Sequence, residues 1–462
     1  MKYQKLNESL KFFIKKFNEV KHKKIKIISH LDADGITSAS ILKRAFEREN
    51  LNFSILIVRQ VDKELLKQLD KEETEVLFFS DLGSSSISTL NVLSKKSFIL
   101  DHHILEKDYE KFTNLMLINP QIYDLDPKEI SGAGLTYLFA KELNKENIDL
   151  AYLAIIGAIG DICEEDGKFK GLNLKILDDA ISSGKIKKTK SLRLFGASSR
   201  PLNRSLEYST DPHIPGITGS GPHARLLLEE LNLKDENGYK KLIDLSEEEL
   251  KSLASEIIVR RIGSHDHPEN IFGHMYILTE EDDDSQFREA HEFSTFLNAC
   301  GRLGESSVGI DFCLGNKNAR EKISLILANY KKEIVNAIKW FHNNRNNTPI
   351  KETEKYIIID AKNEIKDTII GPLSSILIKS SIFEKEIILL SLAYSGKDKI
   401  KISMRASNPK VNVKEILESI LSKFAKKEDL EVGGHMSAAG ALIPLNMEEN
   451  LIKNATEVLN KL

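Results

Sequence analysis

Histidine and aspartate side chains follow three separate apolar runs of this sequence. The run KIKIIS is followed by HLDADG, which places His30, Asp32 and Asp34 at alternate positions. Asp81 follows the run EVLFFS, and the triplet DHH at residues 101–103 follows SFIL. Carboxylates that are crowded together repel one another and raise their own pKa values unless cations neutralise them. If these runs meet in space, the sequence therefore predicts a site for divalent metal ions.

A further acid, Asp161, closes the apolar stretch AIIGAIGD. The candidate ligands are then carboxylates and imidazoles without any thiolate: His30, Asp32, Asp34, Asp81, His102 and Asp161. This ligand set suits Mn²⁺ first and Mg²⁺ second. Two such ions that share a bridging carboxylate would activate water and neutralise a phosphoryl group. Each motif alone has a structural alternative, since the acids of HLDADG could simply cap a helix.

Short runs of β-branched and aromatic residues recur in the first part of the sequence and are typical of buried strands. They lie at residues 24–29, 53–58, 75–80, 97–100 and 115–119. Helical patterns alternate with them, which favours an α/β fold with a mostly parallel sheet flanked by helices. Ligands bind beyond the carboxyl ends of the strands in such sheets. We therefore expect the acids and histidines to converge on one crevice.

A turn-rich segment at residues 209–231 resembles a domain boundary and precedes a second α/β region. Its candidate strands are HMYIL, SVGIDFCL, KYIIIDA, EIILLSLAY and KIKISMR, and its candidate helices are 283–299, 318–343 and 411–426. A chain of 462 residues is long enough for two or three domains.

The composition is that of a soluble globular protein, with 41% hydrophobic and 29% charged residues. No apolar run approaches the roughly 18 residues that cross a bilayer, so we expect no membrane association. The first 20 residues are amphipathic and indicate a helix rather than a signal peptide. Three scattered cysteines without CxxC spacing argue against disulfides and zinc knuckles, and a reducing cytoplasm is the expected location.

The net charge of −3 gives no overall basic character, but residues 185–204 form a local basic segment. The segment, KIKKTKSLRLFGASSRPLNR, contains seven lysines and arginines and no acid. Two interpretations stay open: a solvated linker, or a surface that binds single-stranded nucleic acid.

The motifs resemble those of the DHH phosphoesterase superfamily, in order along most of the chain. The matching residues are HLDADG, Asp81, the triplet Asp101, His102 and His103, Asp161, and the Gly-Gly-His motif at Gly433, Gly434 and His435. Within the superfamily the chain is most similar to archaeal RecJ-like nucleases, of which the GINS-associated nuclease is one type, through residues 199–219 and 296–310. One departure is His30, where bacterial RecJ usually has an acid.

The resemblance implies a division of the chain and of the metal ligands. It implies a DHH catalytic domain at 1–195, a connector with interdomain helices at 196–250, and a C-terminal α/β DHH-associated domain at 251–462 that closes over the cleft. His30 and Asp32 would bind one ion, Asp34, His102 and Asp161 the other, and Asp81 both. Asp101 would orient an imidazole, and His103 would face the scissile phosphate.

Candidate substrate-binding residues lie in the C-terminal part of the sequence. Arg405 ends the alternating run KIKISMR, where a guanidinium can bind a phosphate through two hydrogen bonds. Gly433 and Gly434 would let backbone N–H groups approach an anion, and His435 could donate to it. Arg302, between Gly301 and Gly304, is a weaker candidate for an anion-binding loop, with a structural turn as the alternative.

The predicted function is that of a metal-dependent exonuclease acting on single-stranded DNA or RNA in replication or repair. The resemblance implies GINS, or another replication or fork-repair protein, as a partner. One alternative is a phosphoesterase for pAp, short oligoribonucleotides or cyclic dinucleotides, and another is a replisome scaffold with accessory nuclease activity. The sequence determines neither the polarity of degradation nor a preference between DNA and RNA.

Overall fold

The structure, a computed structural model, describes residues 2–106, 109–111, 115–209, 212–236, 238–264, 267–379, 383, 386–408, 410–424, 431–436 and 438–461. The chain forms two compact units, Met1–Ser324 and Leu325–Leu462. The predicted boundaries after residues 195 and 250 stay a prediction.

The first unit is built on a parallel five-stranded sheet in the order β2-β1-β3-β4-β5. Its strands are β1 (Ile25–His30), β2 (Phe53–Val58), β3 (Val76–Ser80), β4 (Lys96–Leu100) and β5 (Leu115–Ile118). These are the five runs predicted as strands, and the register aligns Ile27 with Ile55 on one side and with Phe78 on the other. The predicted α/β class and the parallel sheet are confirmed.

Helices cover this sheet, some by packing on its strands and others by packing on the helices that do. They are α1 (Lys2–Asn18), α2 (Ala33–Arg48), α3 (Lys63–Lys71), α4 (Ile87–Leu90), α5 (Gly132–Leu143), α6 (Ala151–Gly160) and α7 (Gly171–Ser182). The predicted leading helix is α1, and it buries Phe13 and Phe17 completely. The ring of Phe13 meets Phe98 edge-on at 5.2 Å, and Phe17 stacks on Phe46 at 5.4 Å. Aromatic contacts of this kind fix α1 and α2 on the sheet.

Among the described residues, the remainder of the first unit adds two two-stranded sheets and several helices. They are β6 (Ile186–Leu192), α8 (Leu202–Glu207), α9 (Gly221–Glu230), β7 (Lys234–Asp235), β8 (Gly238–Tyr239), α10 (Glu247–Arg261), β9 (Phe272–Leu278), α11 (Ala290–Arg302) and α12 (Ser306–Cys313). A separate core contains Leu202, Leu206, Leu227, Leu253 and Ile257. Strand β6 pairs antiparallel with β9, so the part of the basic segment at residues 186–192 is a strand and not a linker.

One candidate strand, residues 307–314, is wrong, because this stretch is helix α12. Its apolar residues fit both the two-residue period of a strand and the 3.6-residue period of a helix over so short a length. Val308, Ile310 and Phe312 alternate as in a strand, whereas Val308 and Phe312 also lie about one helical turn apart. Packing decides for the helix, since a Cβ on Gly309 would lie 3.3 Å from Ile36 of α2. The helix predicted at residues 283–299 corresponds to α11 (Ala290–Arg302), which begins and ends later in the sequence than predicted.

The long helix α13 (Lys317–Asn344) leads into the second unit. That unit contains β10 (Ile350–Glu352), β11 (Tyr356–Asp360), α14 (Asp367–Lys379), β12 (Ile388–Ser395), β13 (Lys399–Ala406), α15 (Val413–Leu421), β14 (Glu431–His435), β15 (Ala438–Pro444) and α16 (Glu448–Leu459). The strands form one sheet in the order β10-β11-β12-β13-β15-β14, and among the described strands only β11 and β12 pair in parallel. The predicted second α/β domain is confirmed, and its closure over the cleft stays a prediction.

Within the described residues, no helix combines the length and apolar character needed to span a bilayer. The three cysteines, Cys163, Cys300 and Cys313, are buried and free.

Candidate metal centre

The predicted ligands meet at the carboxyl-terminal edge of the parallel sheet. His30 ends β1, Asp81 follows β3, and the triplet at 101–103 follows β4. Because β1, β3 and β4 are adjacent, their ends lie side by side. Asp81 has a left-handed backbone, with φ of 60°, a conformation that is uncommon for residues other than glycine and is often associated with functional sites.

The carboxylate of Asp81 lies between two histidines. Its Oδ2 is 3.7 Å from His30 Nδ1, and its Oδ1 is 3.6 Å from His102 Nε2. Both oxygens of Asp81 are buried and form no hydrogen bond among the described residues. Buried polar atoms without partners are costly, so the position of this carboxylate indicates that a ligand belongs between it and the histidines.

Asp32 takes part both in the cluster and in the fold. Its Oδ1 accepts a hydrogen bond from Gly35 N at 3.0 Å, which caps α2, while its Oδ2 lies 2.8 Å from His30 Nδ1. The helix cap considered as an alternative from the sequence is therefore real, but it occupies only one of the two oxygens. The second oxygen still points toward His30.

A second group forms around His102. Its Nε2 lies 2.8 Å from Asp161 Oδ2 and 3.7 Å from Asp34 Oδ2. Asp34 is fully buried, and its two oxygens accept hydrogen bonds from Gly132 N at 2.7 Å and Ala133 N at 3.0 Å. These donors are the first backbone N–H groups of α5, a position that favours a negative charge.

Neighbouring glycines leave no room for side chains around the carboxylates. A Cβ on Gly157 of α6 would overlap Asp34 Oδ1, and a Cβ on Gly132 would lie 2.6 Å from Asp81 Oδ1. Glycine at both positions therefore lets α5 and α6 approach the cluster closely.

The charges of the cluster shift its pKa values in the direction expected of crowded acids. Burial, and then the charge of Asp161, raise the pKa of Asp34 to about 6. Burial together with the charges of Asp34 and Asp32 raises the pKa of Asp81 well above its ordinary value. Burial opposes the charged form of His102, but the nearby carboxylates, Asp161 foremost, outweigh it and raise its pKa to about 10. Cations bound here would relieve the repulsion between the carboxylates.

The donor set fits divalent metal ions. Among the described residues, three groups each offer ligand atoms that lie within 4.8 Å of one another: His30, Asp32 and Asp81; Asp34, His102 and Asp161; and Asp81, His102 and His103. The first two groups contain the residues predicted for the two ion sites, and Asp81 belongs to the first and the third group. Which residue binds which ion stays a proposal.

The remaining residues of the triplet contact one another. His103 Nδ1 lies 2.8 Å from Asp101 Oδ1, and Asp101 Oδ2 accepts a hydrogen bond from Ser84 N at 2.8 Å. Asp101 thus orients the ring of His103, whose side chain is 42% exposed and lies at the open side of the cluster. The sequence did not single out Asn119, whose side-chain amide donates to His103 O and fixes this loop.

A second network that the sequence analysis missed adjoins the cluster. Glu164, three residues after Asp161, has its Oε2 2.7 Å from His291 Nε2, and His291 Nδ1 lies 2.8 Å from Glu289 Oε1. Asn298, further along α11, accepts a hydrogen bond from Ala33 N at 3.1 Å. Neither His291 nor Glu289 follows a strand of the parallel sheet, so the sequence pattern gave no signal for them.

Arg302 is brought to the same region, but on a helix rather than in a loop. It is the last residue of α11, and a Cβ on the preceding Gly301 would overlap the backbone oxygen of Leu31. Since Leu31 separates His30 from Asp32, the end of α11 packs directly on the ligand-bearing segment. The predicted loop is therefore a helix end, and the anion-binding role of Arg302 stays a proposal.

The C-terminal candidates lie in the sheet of the second unit. The Arg405 guanidinium donates to the backbone oxygens of Met404 and Ala439 at 2.9 and 3.2 Å, which fixes its orientation. Gly433 and Gly434 lie in edge strand β14 and not in the predicted turn, because they pair with β15. The register places Arg405 opposite Ala438, and Ala438 opposite His435, in one row across three strands.

Family models match three parts of the chain. The DHH family N-terminal domain matches residues 24–157, the DHH-CID domain residues 194–272, and the DHHA1 domain residues 353–461. The first match contains all the predicted metal ligands except Asp161, which follows the end of the match by four residues.

Relatives and solved structures resemble the whole chain. An uncharacterized protein of Methanocaldococcus jannaschii is 28% identical over 442 residues, which is 95% of this chain and 93% of that protein. CDC45 from Entamoeba histolytica has a TM-score of 0.65 at 15% identity, over 98% of this chain and 99% of that one. RecJ of Thermus thermophilus, in complex with Mn²⁺, has a TM-score of 0.58 at 16% identity. A further structure, an exonuclease RecJ bound to manganese, has a TM-score of 0.56.

The comparison with Thermus RecJ covers 99% of this chain but only 55% of that one, so this chain spans about half of its length. At such low identity the likeness to RecJ and CDC45 shows the fold alone. The chain therefore contains domains that match the DHH, DHH-CID and DHHA1 family models, and its fold is RecJ-like.

Proposed function

We propose that the protein is a metal-dependent phosphodiesterase that acts as an exonuclease on single-stranded DNA or RNA and releases mononucleotides. The family supports the coarser part of this proposal, a metal-dependent phosphoesterase. The observation that carries it is the carboxylate of Asp81, whose two buried oxygens each face a different histidine without a hydrogen-bond partner. A carboxylate in this position is suited to bridge two cations.

Divalent cations held here would supply charge neutralisation and an activated water molecule. His30 and Asp32 would bind one ion, and Asp34, His102 and Asp161 the other. The first N–H groups of α5 hold the Asp34 carboxylate in place before any substrate arrives. Pre-organised ligands of this kind avoid reorganisation during the reaction.

His103 is suited to meet the substrate phosphate. Asp101 occupies its Nδ1, so the ring orientation is fixed while the side chain stays partly exposed. The Asp101 carboxylate also favours the charged form: although burial lowers the pKa of His103, the charge of Asp101 outweighs it and raises that pKa. A cationic imidazole at the open side of the cluster would bind a phosphodiester oxygen.

The relatives support a divalent ion, since RecJ structures with manganese and with magnesium both resemble the chain, and they support nucleic acid as the substrate class; manganese stays our first candidate from the ligand set. Two RecJ structures contain manganese, and one of those proteins is named an exonuclease. We further propose a replication or fork-repair protein, GINS among them, as a partner. The similarity to CDC45 in fold supports this part of the proposal.

Two other functions compete with this one. A phosphoesterase for small nucleotides would use the same ions, and a scaffold would need no ions at all. The complete ligand cluster disfavours a scaffold as the only role.

The test is degradation of single strands labelled at the 5′ or 3′ end, as DNA and as RNA, with Mn²⁺ and with Mg²⁺. Stepwise loss of mononucleotides from one end is expected. Hydrolysis of pAp or cyclic dinucleotides without degradation of longer strands would assign the small-molecule function instead. No hydrolysis of any of these substrates with either metal would contradict the enzyme proposal.

A further inference from the structure

Strands β6 and β9 present two faces with different chemistry. Register places Lys188 opposite Tyr276, Lys190 opposite His274 and Leu192 opposite Phe272, so these residues share one face. Lys187 lies opposite Ile277 and belongs to the other face. The three lysines, 187, 188 and 190, are all exposed.

Tyr276 and Leu192 are buried, and the accessible remainder of this face concentrates positive charge. We define it as the basic face: Lys168, Lys188, Lys190, His274 and Phe272. Lys168 is exposed and joins it through the turn that precedes α7, where His274 N donates to Gly167 O at 3.1 Å. Lys190 Nζ lies 4.8 Å from the centre of the Phe272 ring. Lysine beside an aromatic ring is a combination used by surfaces that bind single-stranded nucleic acid.

The cations of the basic face are not neutralised by neighbouring acids. Within the described part of the chain none of its three lysines forms an ion pair, whereas the acids nearby are occupied: Glu165 by Lys170, Asp166 by Arg193 and Glu280 by Lys185. Burial and then the charges of Lys188 and Lys168 lower the pKa of His274. Lys188 and Lys190 lie two residues apart on β6, and a bound polyanion would offset the repulsion between their charges.

The basic face is linked to the metal centre by a short piece of chain. Lys168 follows Asp161 by only seven residues, so their Cα atoms can lie at most about 25 Å apart. Tyr276, on β9, donates a hydrogen bond to Glu164 at 3.1 Å, which ties the sheet to the loop that follows Asp161.

We propose that the basic face binds the phosphate backbone of a single-stranded nucleic acid whose end is hydrolysed at the metal centre. This inference rests on the proposed function and makes it more specific. It assigns binding to one face formed by two strands and the turn at Lys168, rather than to the whole basic segment 185–204.

Lys187 and Lys188 provide a matched pair for the test, because they are adjacent, exposed and on opposite faces. Binding of the full-length protein to a labelled single strand of about 20 nucleotides is measured by fluorescence anisotropy without divalent metal, at several salt concentrations. Lys188→Glu should weaken binding about tenfold and make the salt dependence shallower by about 0.7 in slope, because one phosphate fewer is neutralised by the protein. Lys187→Glu should bind like the wild type.

Circular dichroism shows whether both variants fold, and Lys188→Gln provides a milder change if Lys188→Glu does not. Equal losses of affinity in the Lys187 and Lys188 variants, or unchanged affinity in both, would overturn the inference.

Hydrolysis of a dinucleotide with Mn²⁺ distinguishes a failure of this inference from a failure of the proposed function. Suppose that the wild type hydrolyses the dinucleotide, but the Lys187 and Lys188 variants bind the single strand with equal affinity. The role assigned to the basic face is then wrong, and the proposed function is supported. Suppose instead that the wild type hydrolyses neither the dinucleotide nor longer strands, and that only Lys188→Glu weakens binding of the single strand. The proposed function is then wrong, and the binding role of the basic face is supported.

Discussion

His291 Nε2 lies 2.7 Å from Glu164 Oε2, and this contact joins the start of α11 to the loop that carries Asp161. The other ring nitrogen lies 2.8 Å from Glu289 Oε1, so the ring can donate to both carboxylates only in its protonated form. Burial opposes that form, but the charge of Glu289 and the hydrogen bonds to Glu164 and Glu289 outweigh it and raise the pKa of His291 well above its ordinary value. The protonated His291, held between Glu164 and Glu289, therefore fixes the loop after Asp161. We call these three side chains the charged clamp.

The first prediction is that His291→Ala destabilises the protein more at mildly acidic than at alkaline pH. A histidine whose pKa is raised by folding stabilises the fold fully below its unfolded pKa, about 6.5, and this stabilisation is lost as the pH rises through the folded pKa. The loss should be about 1–3 kcal/mol near pH 6, as for hydrogen bonds to charged groups. Denaturant unfolding at both pH values measures it. His223→Ala, at an exposed histidine, is the control, and a loss that grows with pH would contradict the clamp.

The second prediction is that Asp81→Asn or Asp34→Ala abolishes hydrolysis and leaves the fold intact. Asparagine tolerates the left-handed backbone of residue 81, and removal of either carboxylate relieves repulsion within the buried cluster. The metal-free Asp81→Asn variant should therefore be at least as stable as the wild type in thermal unfolding, whereas Asp34→Ala should lose stability because Gly132 N and Ala133 N lose their acceptor. Retention of more than about a tenth of wild-type turnover at saturating Mn²⁺ would show that the two-ion assignment is incorrect.

The third prediction tests the cluster without changing a ligand. Gly157→Ala should weaken Mn²⁺ binding, since the added methyl group would overlap Asp34 Oδ1 and displace that carboxylate. Gly371→Ala is the matched control, because Gly371 is also in a helix but an added Cβ would lie 3.8 Å from its nearest neighbour, Ser403 Oγ. Calorimetric titration with Mn²⁺ compares the two. Equal affinities in both variants would mean that the position of Asp34 does not govern metal binding.

The fourth prediction separates the roles of His102 and His435. His102→Ala should reduce Mn²⁺ affinity directly, because His102 Nε2 belongs to two of the potential ligand groups. His435→Ala should raise KM for single strands, and lower kcat, while Mn²⁺ affinity stays that of the wild type. Metal titration and steady-state kinetics on both variants measure these effects. If His435→Ala loses Mn²⁺ as severely as His102→Ala, the Gly-Gly-His motif is itself a metal ligand.

The amino-acid sequence by itself determined the strands of the first sheet and the positions of the acids after them. Runs such as EVLFFS bury both faces in a parallel sheet, so their apolar character is continuous and easily recognised. Because the carboxyl ends of adjacent parallel strands share one edge, the meeting of His30, Asp81 and His102 followed from the strand pattern alone.

Only the tertiary structure decided how these side chains face one another and what supports them. The sequence does not indicate that each oxygen of Asp81 faces a different histidine, since that depends on the left-handed backbone of one residue. Nor does it indicate the contact between Glu164 and His291, which are 127 residues apart and belong to no shared periodic pattern. Residues 307–314 satisfied both a strand and a helix period, and contact with α2 selected the helix. Local pattern fixes which residues a strand or helix offers, whereas packing between distant segments fixes which atoms meet.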